Sequence, residues 1–199
     1  MATYQSIKHD LDYKGRAGAL MPIATFTSDG SDANASFTSG IDSTYDTYLF
    51  IFNNIHPETD NRGLHFIAST DGGSNYGIAT TTTHYYASNN ESDANAIGYQ
   101  TGADHAQSTS NIGLILEQAN DNDMALAGYM YLYNPADTTF VKHFICSGSN
   151  AASGGGGADA ARHTFCAGYI DTTSAVNAIK FVMKAGEIQG GTIQMFGVH

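Results

Sequence analysis

Residues 45–76 read YDTYLFIFNNIHPETDNRGLHFIASTDGGSNY, and this stretch decides the fold class. Two apolar runs, 45–55 and 64–69, flank a link that carries Pro57, Asp60, Asn61 and Gly63. Proline fixes φ while glycine and asparagine tolerate left-handed φ, so each is a turn former for its own reason. Thr70-Asp71-Gly72-Gly73-Ser74-Asn75 reverses the chain again before Tyr76 restarts it. The order is strand, turn, strand, turn, strand. Leu49, Phe50, Ile51 and Phe52 are consecutive, whereas a strand with one wet face would alternate. The expectation is a strand covered on both sides, between sheets or against another subunit. Phe50 and Phe52 are therefore candidate interface or ligand-contact residues.

On either side the chain continues in short β-like segments, at 21–27, 34–39, 76–87, 96–100, 111–118, 125–133, 138–146, 163–171, 176–184 and 190–198. Ser28-Asp29-Gly30-Ser31-Asp32 and Asn120-Asp121-Asn122-Asp123 are turn clusters. Segment 125–133 alternates cleanly, with Tyr129, Tyr131 and Tyr133 on one face and Gly128, Met130 and Leu132 on the other. In 176–184, Ile179, Phe181 and Met183 point in while Lys180, Val182 and Lys184 point out. Only 88–99 leaves room for a helix. About ten to twelve short strands at even spacing predict an all-β, antiparallel β-sandwich, jelly roll-like or concanavalin-like. Residues 22–199 form one sandwich domain in this reading. Residues 1–21, polar and unperiodic, form an N-terminal arm that tethers it.

The central stretch also carries a resemblance. The pattern Tyr45-Asp46-x-Tyr48-x-Phe50-x-Phe52-x-Asn54-Ile55-x-Pro57-x-Thr59-Asp60 is similar to a recurrent structural protein of tailed bacteriophages, particularly those of marine bacteria. Ser69-Thr70-Asp71-Gly72-Gly73 follows in order, then Tyr133-Asn134-Pro135-x-Asp137-Thr138-Thr139-Phe140-x-Lys142-x-Phe144. Gly190-Gly191-Thr192-Ile193-x-Met195-x-Gly197-Val198 resembles that family's closing strand. The motifs consist of turn and strand residues, so their order over residues 40–198 carries the resemblance. It implies a virion component with a β-sandwich domain and brings no catalytic residues with it.

Composition agrees with a neutral, β-rich surface. Charged residues are 14% of the chain, against about 25% in an average globular protein. With 8 Lys plus Arg and 19 Asp plus Glu, the formal net charge is −11. Such a chain repels phosphate backbones and anionic headgroups, so neither nucleic acid nor membrane is an expected partner. Lys8, Lys14 and Arg16 are the one cationic cluster near the start. No stretch reaches the ~18–20 apolar residues of a membrane helix, and the opening MATYQSIKHDLDYKG lacks the apolar core of a signal peptide. Synthesis in a host bacterial cytoplasm and residence in the virion are the expected localisation.

Tyr129, Tyr131 and Tyr133 place three amphipathic rings on one sheet face, as a contact surface for a subunit or sugar or as an ordinary sandwich face. Eight histidines are scattered, with His143 and His163 able to face each other across a hairpin. Asp29, Asp32 and Asn34, and separately residues 120–123, offer oxygen ligands for calcium but lack the EF-hand order, and turn chemistry explains both. Cys146 and Cys166 flank a glycine-rich loop and match no zinc spacing; they fit buried free thiols in a reducing compartment, with a cross-strand disulfide formed after release as the alternative. Glu58, Asp60, Glu91 and Glu117 contain no pair that spacing singles out for glycoside hydrolysis, and there is no G-x-S-x-G elbow. No metal, cofactor or catalytic group is expected.

The functional expectation is a bacteriophage structural protein, an exterior capsid decoration or short fibre component. It acts by protein–protein adhesion, as a homotrimer in contact with other virion proteins. The alternative is a receptor-binding module for a host surface glycan, and a polysaccharide hydrolase stands third.

Overall fold

The computed structural model of the chain describes residues 20–152 and 159–198. They form twelve strands: β1 (Leu20–Thr27), β2 (Ala35–Phe37), β3 (Thr47–Pro57), β4 (Arg62–Ser69), β5 (Thr80–Asn90), β6 (Asn95–Tyr99), β7 (Ile112–Gln118), β8 (Leu126–Tyr133), β9 (Lys142–Ala152), β10 (Ala160–Ile170), β11 (Ala178–Met183) and β12 (Ile188–Val198). Every pairing between them is antiparallel. The arm expected at 1–21 lies almost wholly outside the described residues, and its last two positions, Leu20 and Met21, begin β1. The glycine run of residues 154–157 also lies outside them.

Strand order separates the two sandwich types that the sequence allowed. Set aside β5, β6, β9 and β10. The remaining eight pair as β1-β12-β3-β8 and as β7-β4-β11-β2, so that the chain's first strands lie beside its last. That double wrapping is the strand order of a jelly roll. The four strands set aside extend the first sheet past β8 in the order β9, β10, β5, β6. An eight-stranded sheet therefore backs a four-stranded one. The two join along one side, where Gln118 of β7 pairs with Ala152 of β9.

Aromatic rings fill the space between the sheets. Phe181 of β11 meets Phe50 and Phe52 of β3 at 5.2 and 5.3 Å between centroids, and Phe66 of β4 meets Phe144 of β9 at 4.8 Å. Such edge-to-face contacts add about 0.5–1.5 kcal/mol each beyond the burial itself. Tyr48 is also fully buried, and its hydroxyl is satisfied: it accepts from Asp42 N at 2.8 Å and donates to Asp42 O at 2.9 Å. Of the two places foreseen for Phe50 and Phe52, they occupy the one between sheets, closed to any outside partner. Among the described residues, the other face of β3 is covered by its neighbours in the sheet: Leu49 is buried and Ile51 half-buried beside the β8 tyrosines.

Gly128 and Gly148 lie directly opposite each other on the inner side of β8 and β9. With no Cβ on either, Ile115 of β7 packs into the gap.

Two segments depart from expectation. The strand expected at 138–146 starts at Lys142 and runs to Ala152. Asp137 Oδ1 accepts from the backbone N–H groups of Thr139 and Phe140 at 2.7 and 2.6 Å, which ties the β-branched run into a turn. The segment with room for a helix is instead the β5–β6 hairpin. There Asn90 Oδ1 accepts from Ser92 N and Ala94 N at 3.1 and 2.8 Å, and Asp93 takes φ +61°.

Candidate functional site

Residues directly opposite in an antiparallel pair share a face, so the register maps the outer side of the larger sheet. One row runs from Ile51 through Tyr129, Ser147 and Phe165 to Tyr85 and Tyr99. The next holds Phe196, Leu49, Tyr131, Ile145 and Ala167. A third holds Tyr133 on β8, and His143 opposite Tyr169. The three sequence-predicted tyrosines thus lie together in the middle of this face. Tyr131 stacks on Tyr133 at 6.0 Å and meets Tyr129 edge-on at 5.6 Å. Tyr85 stacks on Phe165 at 5.2 Å. Tyr129 and Tyr85 remain 41% and 45% exposed, too open for core rings. Burial raises the Tyr133 pKa, with Tyr131 and Tyr129 adding to it, so its hydroxyl stays a neutral donor and acceptor.

Among the described residues, the strands of this face present no charged side chain to solvent. The eight strands of the sheet contain two charged residues, Lys142 and Arg162, and both are buried and turned inward. Lys142 Nζ donates to the carbonyls of Phe140 and Thr172. Arg162 pairs with Glu117, donates to Gln100 Oε1 at 3.1 Å, and lies 3.8 Å over the Tyr86 ring. Among the described residues, Glu117 is the one acidic side chain in any strand. The negative charge is therefore carried on loops around a neutral plate.

Two hollows meet at the Tyr133 end of the plate. A groove of about 540 Å³ is lined by Thr81, Thr83, Tyr133, His143 and Tyr169. A pocket of about 490 Å³ shares Tyr133 and His143 and is closed by Asn134, Asp137, Phe140 and Thr173. Phe140, at its rim, is 71% exposed.

The remaining candidates are placed as follows. His143 and His163 do not face each other: the register pairs Ala152 with Ala160, which sets His143 against Tyr169 and His163 against Ser149. His163 Nε2 instead meets Ser147 Oγ at 2.8 Å. Cys146 and Cys166 are cross-strand neighbours and free thiols. Burial pushes Cys166 up to about 12 and Cys146 well above its ordinary value, which removes nucleophilic thiolate at neutral pH. The oxygens of Asp29 and Asp32 accept backbone N–H groups within their own turn. Glu117 is held by Arg162, and Glu58 Oε2 accepts from Glu187 N at 3.1 Å. Among the described residues, no three His, Cys, Asp or Glu side chains are grouped to hold a metal ion.

Sequence reasoning missed a polar layer beneath β5 and β10. It contains His84, Thr164 and Arg162, all turned inward. The signal was present: Arg162 sits in a strand with no other charged residue, at an inward position of the alternation. No known protein family, curated protein or solved structure matches this chain.

Proposed function

We propose that this chain is a structural adhesion module of a bacteriophage particle, an exterior decoration or short fibre component. It holds neighbouring protein through the tyrosine face of its larger sheet. The carrying observation is that, among the described residues, the strands of that face present no charge, in a chain of net charge −11. Bringing two proteins together over a neutral surface strips water from no ion, and so avoids the desolvation cost of charged groups. Tyrosine offers large contact area with little conformational entropy to lose and is enriched where interfaces are strongest. The resemblance of the ordered motifs over residues 40–198 to a tailed-phage structural protein is what suggests the setting.

Reconstruction of the particle tests this. Tyr129, Tyr131 and Tyr133 are expected against a neighbouring subunit, and Tyr131→Asp and Ile51→Lys chains are expected to fail to bind particles stripped of the protein. Density with the tyrosine face open to solvent, or undiminished binding by both variants, overturns the reading. A glycan-binding role is favoured by one feature, the paired hollows at Tyr133 with Phe140 on their rim. Saturable binding of a neutral oligosaccharide, abolished by Phe140→Ala, would replace the protein partner by a sugar.

A further inference from the structure

The geometry points to a second contact surface, the open edge of β6, to which a second copy of this chain adds its own β6 antiparallel across a two-fold axis at Ile97. Among the described residues, β6 pairs with β5 and with no other strand. The other free edges are blunted. β1 carries Pro22, with a register shift between Pro22 and Ala24, and β2 is three residues long. Proline, bulges and short length are the devices that keep edges from pairing. β6, Asn95-Ala96-Ile97-Gly98-Tyr99, has no proline, no charge and an unbroken register against β5.

Hydrogen-bond phase fixes what this edge displays. Gln100 N donates to His84 O at 2.8 Å and Asn90 N to Ala94 O at 2.9 Å, so these two pairs are bonded pairs of the ladder. Bonded and non-bonded pairs alternate in an antiparallel ribbon. Gly98 and Ala96 therefore turn their backbone groups toward β5, while those of Asn95, Ile97 and Tyr99 point to the open side. These three positions are symmetric about Ile97. A two-fold copy sets Ile97 against Ile97 of the partner subunit, and Asn95 against Tyr99 of the partner subunit. All three resulting pairs are of the bonded kind, giving about six backbone hydrogen bonds at two per pair.

Side chains favour the same occupant. Ile97 is 82% exposed and Tyr99 52%. Both lie on the outer face, beside Tyr85. A second β6 covers Ile97 with its own mate, and a two-fold contact closes without propagating. Because the strand is uncharged, two copies of this acidic chain can meet there with no ion desolvated. The pairing also joins two neutral plates into one continuous surface. The contact is separate from the tyrosine-face reading, since β8, β9, β10 and β5 lie between β3 and the β6 edge.

The test is sedimentation equilibrium of the full chain over a wide concentration range, with amide hydrogen exchange at its two ends. Wild type is expected to dimerise. The amides of Asn95, Ile97 and Tyr99 should gain protection as concentration rises, while those of Ala96 and Gly98 are protected throughout. Ile97→Lys sets two like charges side by side, and Ile97→Pro removes an outward N–H without touching the bonds to β5. Either should raise the dimer dissociation constant at least about tenfold, with the monomer's thermal midpoint kept. Ile51→Lys should leave it unchanged. A chain that stays monomeric at the highest concentration overturns the inference. So does a dimer indifferent to both Ile97 variants, or exchange at residues 95, 97 and 99 that ignores concentration; the wild-type sedimentation and exchange readouts need no variant to fold.

Discussion

Burial holds the His84 imidazole neutral down to a pH of about 4. It is fully enclosed, and the positive charges of Arg162 and His65 push the same way. Asp104 and the Leu114 backbone oppose them. Neither ring nitrogen of His84 reaches hydrogen-bonding geometry, and Thr164 Oγ1 and Arg162 Nε nearby are also without partners. The linkage has a definite sign. In the unfolded chain this residue titrates near 6.5, so between 6.5 and 4 the unfolded state binds a proton that the folded state refuses. Stability attributable to His84 is constant above pH 6.5. It then falls by ~1.4 kcal/mol per pH unit, to a loss of about 3 kcal/mol by pH 4. Urea titrations of wild type and His84→Gln at several pH values check this. The variant should lack that slope, while whatever the carboxylates contribute appears in both. Equal slopes would mean that His84 is hydrated in the folded protein.

At the scale of elements, the facing glycines of β8 and β9 set how closely those two strands approach and leave the space that Ile115 of β7 fills. A Cβ on Gly128 would fall 2.5 Å from Ser147 O and 2.7 Å from Gly148 Cα, both backbone atoms of the adjoining strand, which no rotamer change relieves. Gly128→Ala should cost about 1–3 kcal/mol as an overpacking change, read as a lower urea midpoint at unchanged m-value; a neutral result would show that β8 and β9 can part. The sequence disclosed such elements unevenly. β8 and β11 were legible because strict alternation fixes both strand and face, and Tyr129, Tyr131 and Tyr133 stand where it puts them. β9 was displaced because Asp137 caps a turn from strand-forming residues, and its second half, Ser147–Ala152, is too polar to announce a strand. Beside its hairpin with β10, that half is held by β8, with Leu126 opposite Asn150 and Gly128 opposite Gly148, a partnership distant in sequence that no local pattern encodes. For the same reason the extension of the sheet from β10 to β5 and β6 was invisible, and with it the full breadth of the outer face on which the tyrosines lie. Phe50 and Phe52 illustrate the converse: their burial was legible, but which of two surfaces would bury them was not.

For the whole molecule, the decisive feature is where the charge lies. The chain carries −11, yet the described acidic residues other than Glu117 are off the strands, so two copies approaching plate to plate or edge to edge repel through their loops while touching through neutral strands. Repulsion between exposed charges is screened over about 30 Å at 0.01 M salt and about 8 Å at 0.15 M. Self-association should therefore tighten as salt rises through that range. An ion-paired interface would weaken instead, and so would attachment of these loops to a basic partner. Sedimentation at the two ionic strengths separates the cases by sign alone. For the β6 edge the effect should be marked: antiparallel pairing brings Asp93 at one end of the strand near Thr101 of the partner subunit, with Asp104 close by, so acidic loops approach at both ends of a neutral contact. Replacing Asp93 by Asn should then mimic part of the salt effect and leave Ile97→Lys as damaging as before. If salt loosened the dimer, attraction between charges would be holding it, and neither the neutral plate nor the neutral edge would be the surface in contact.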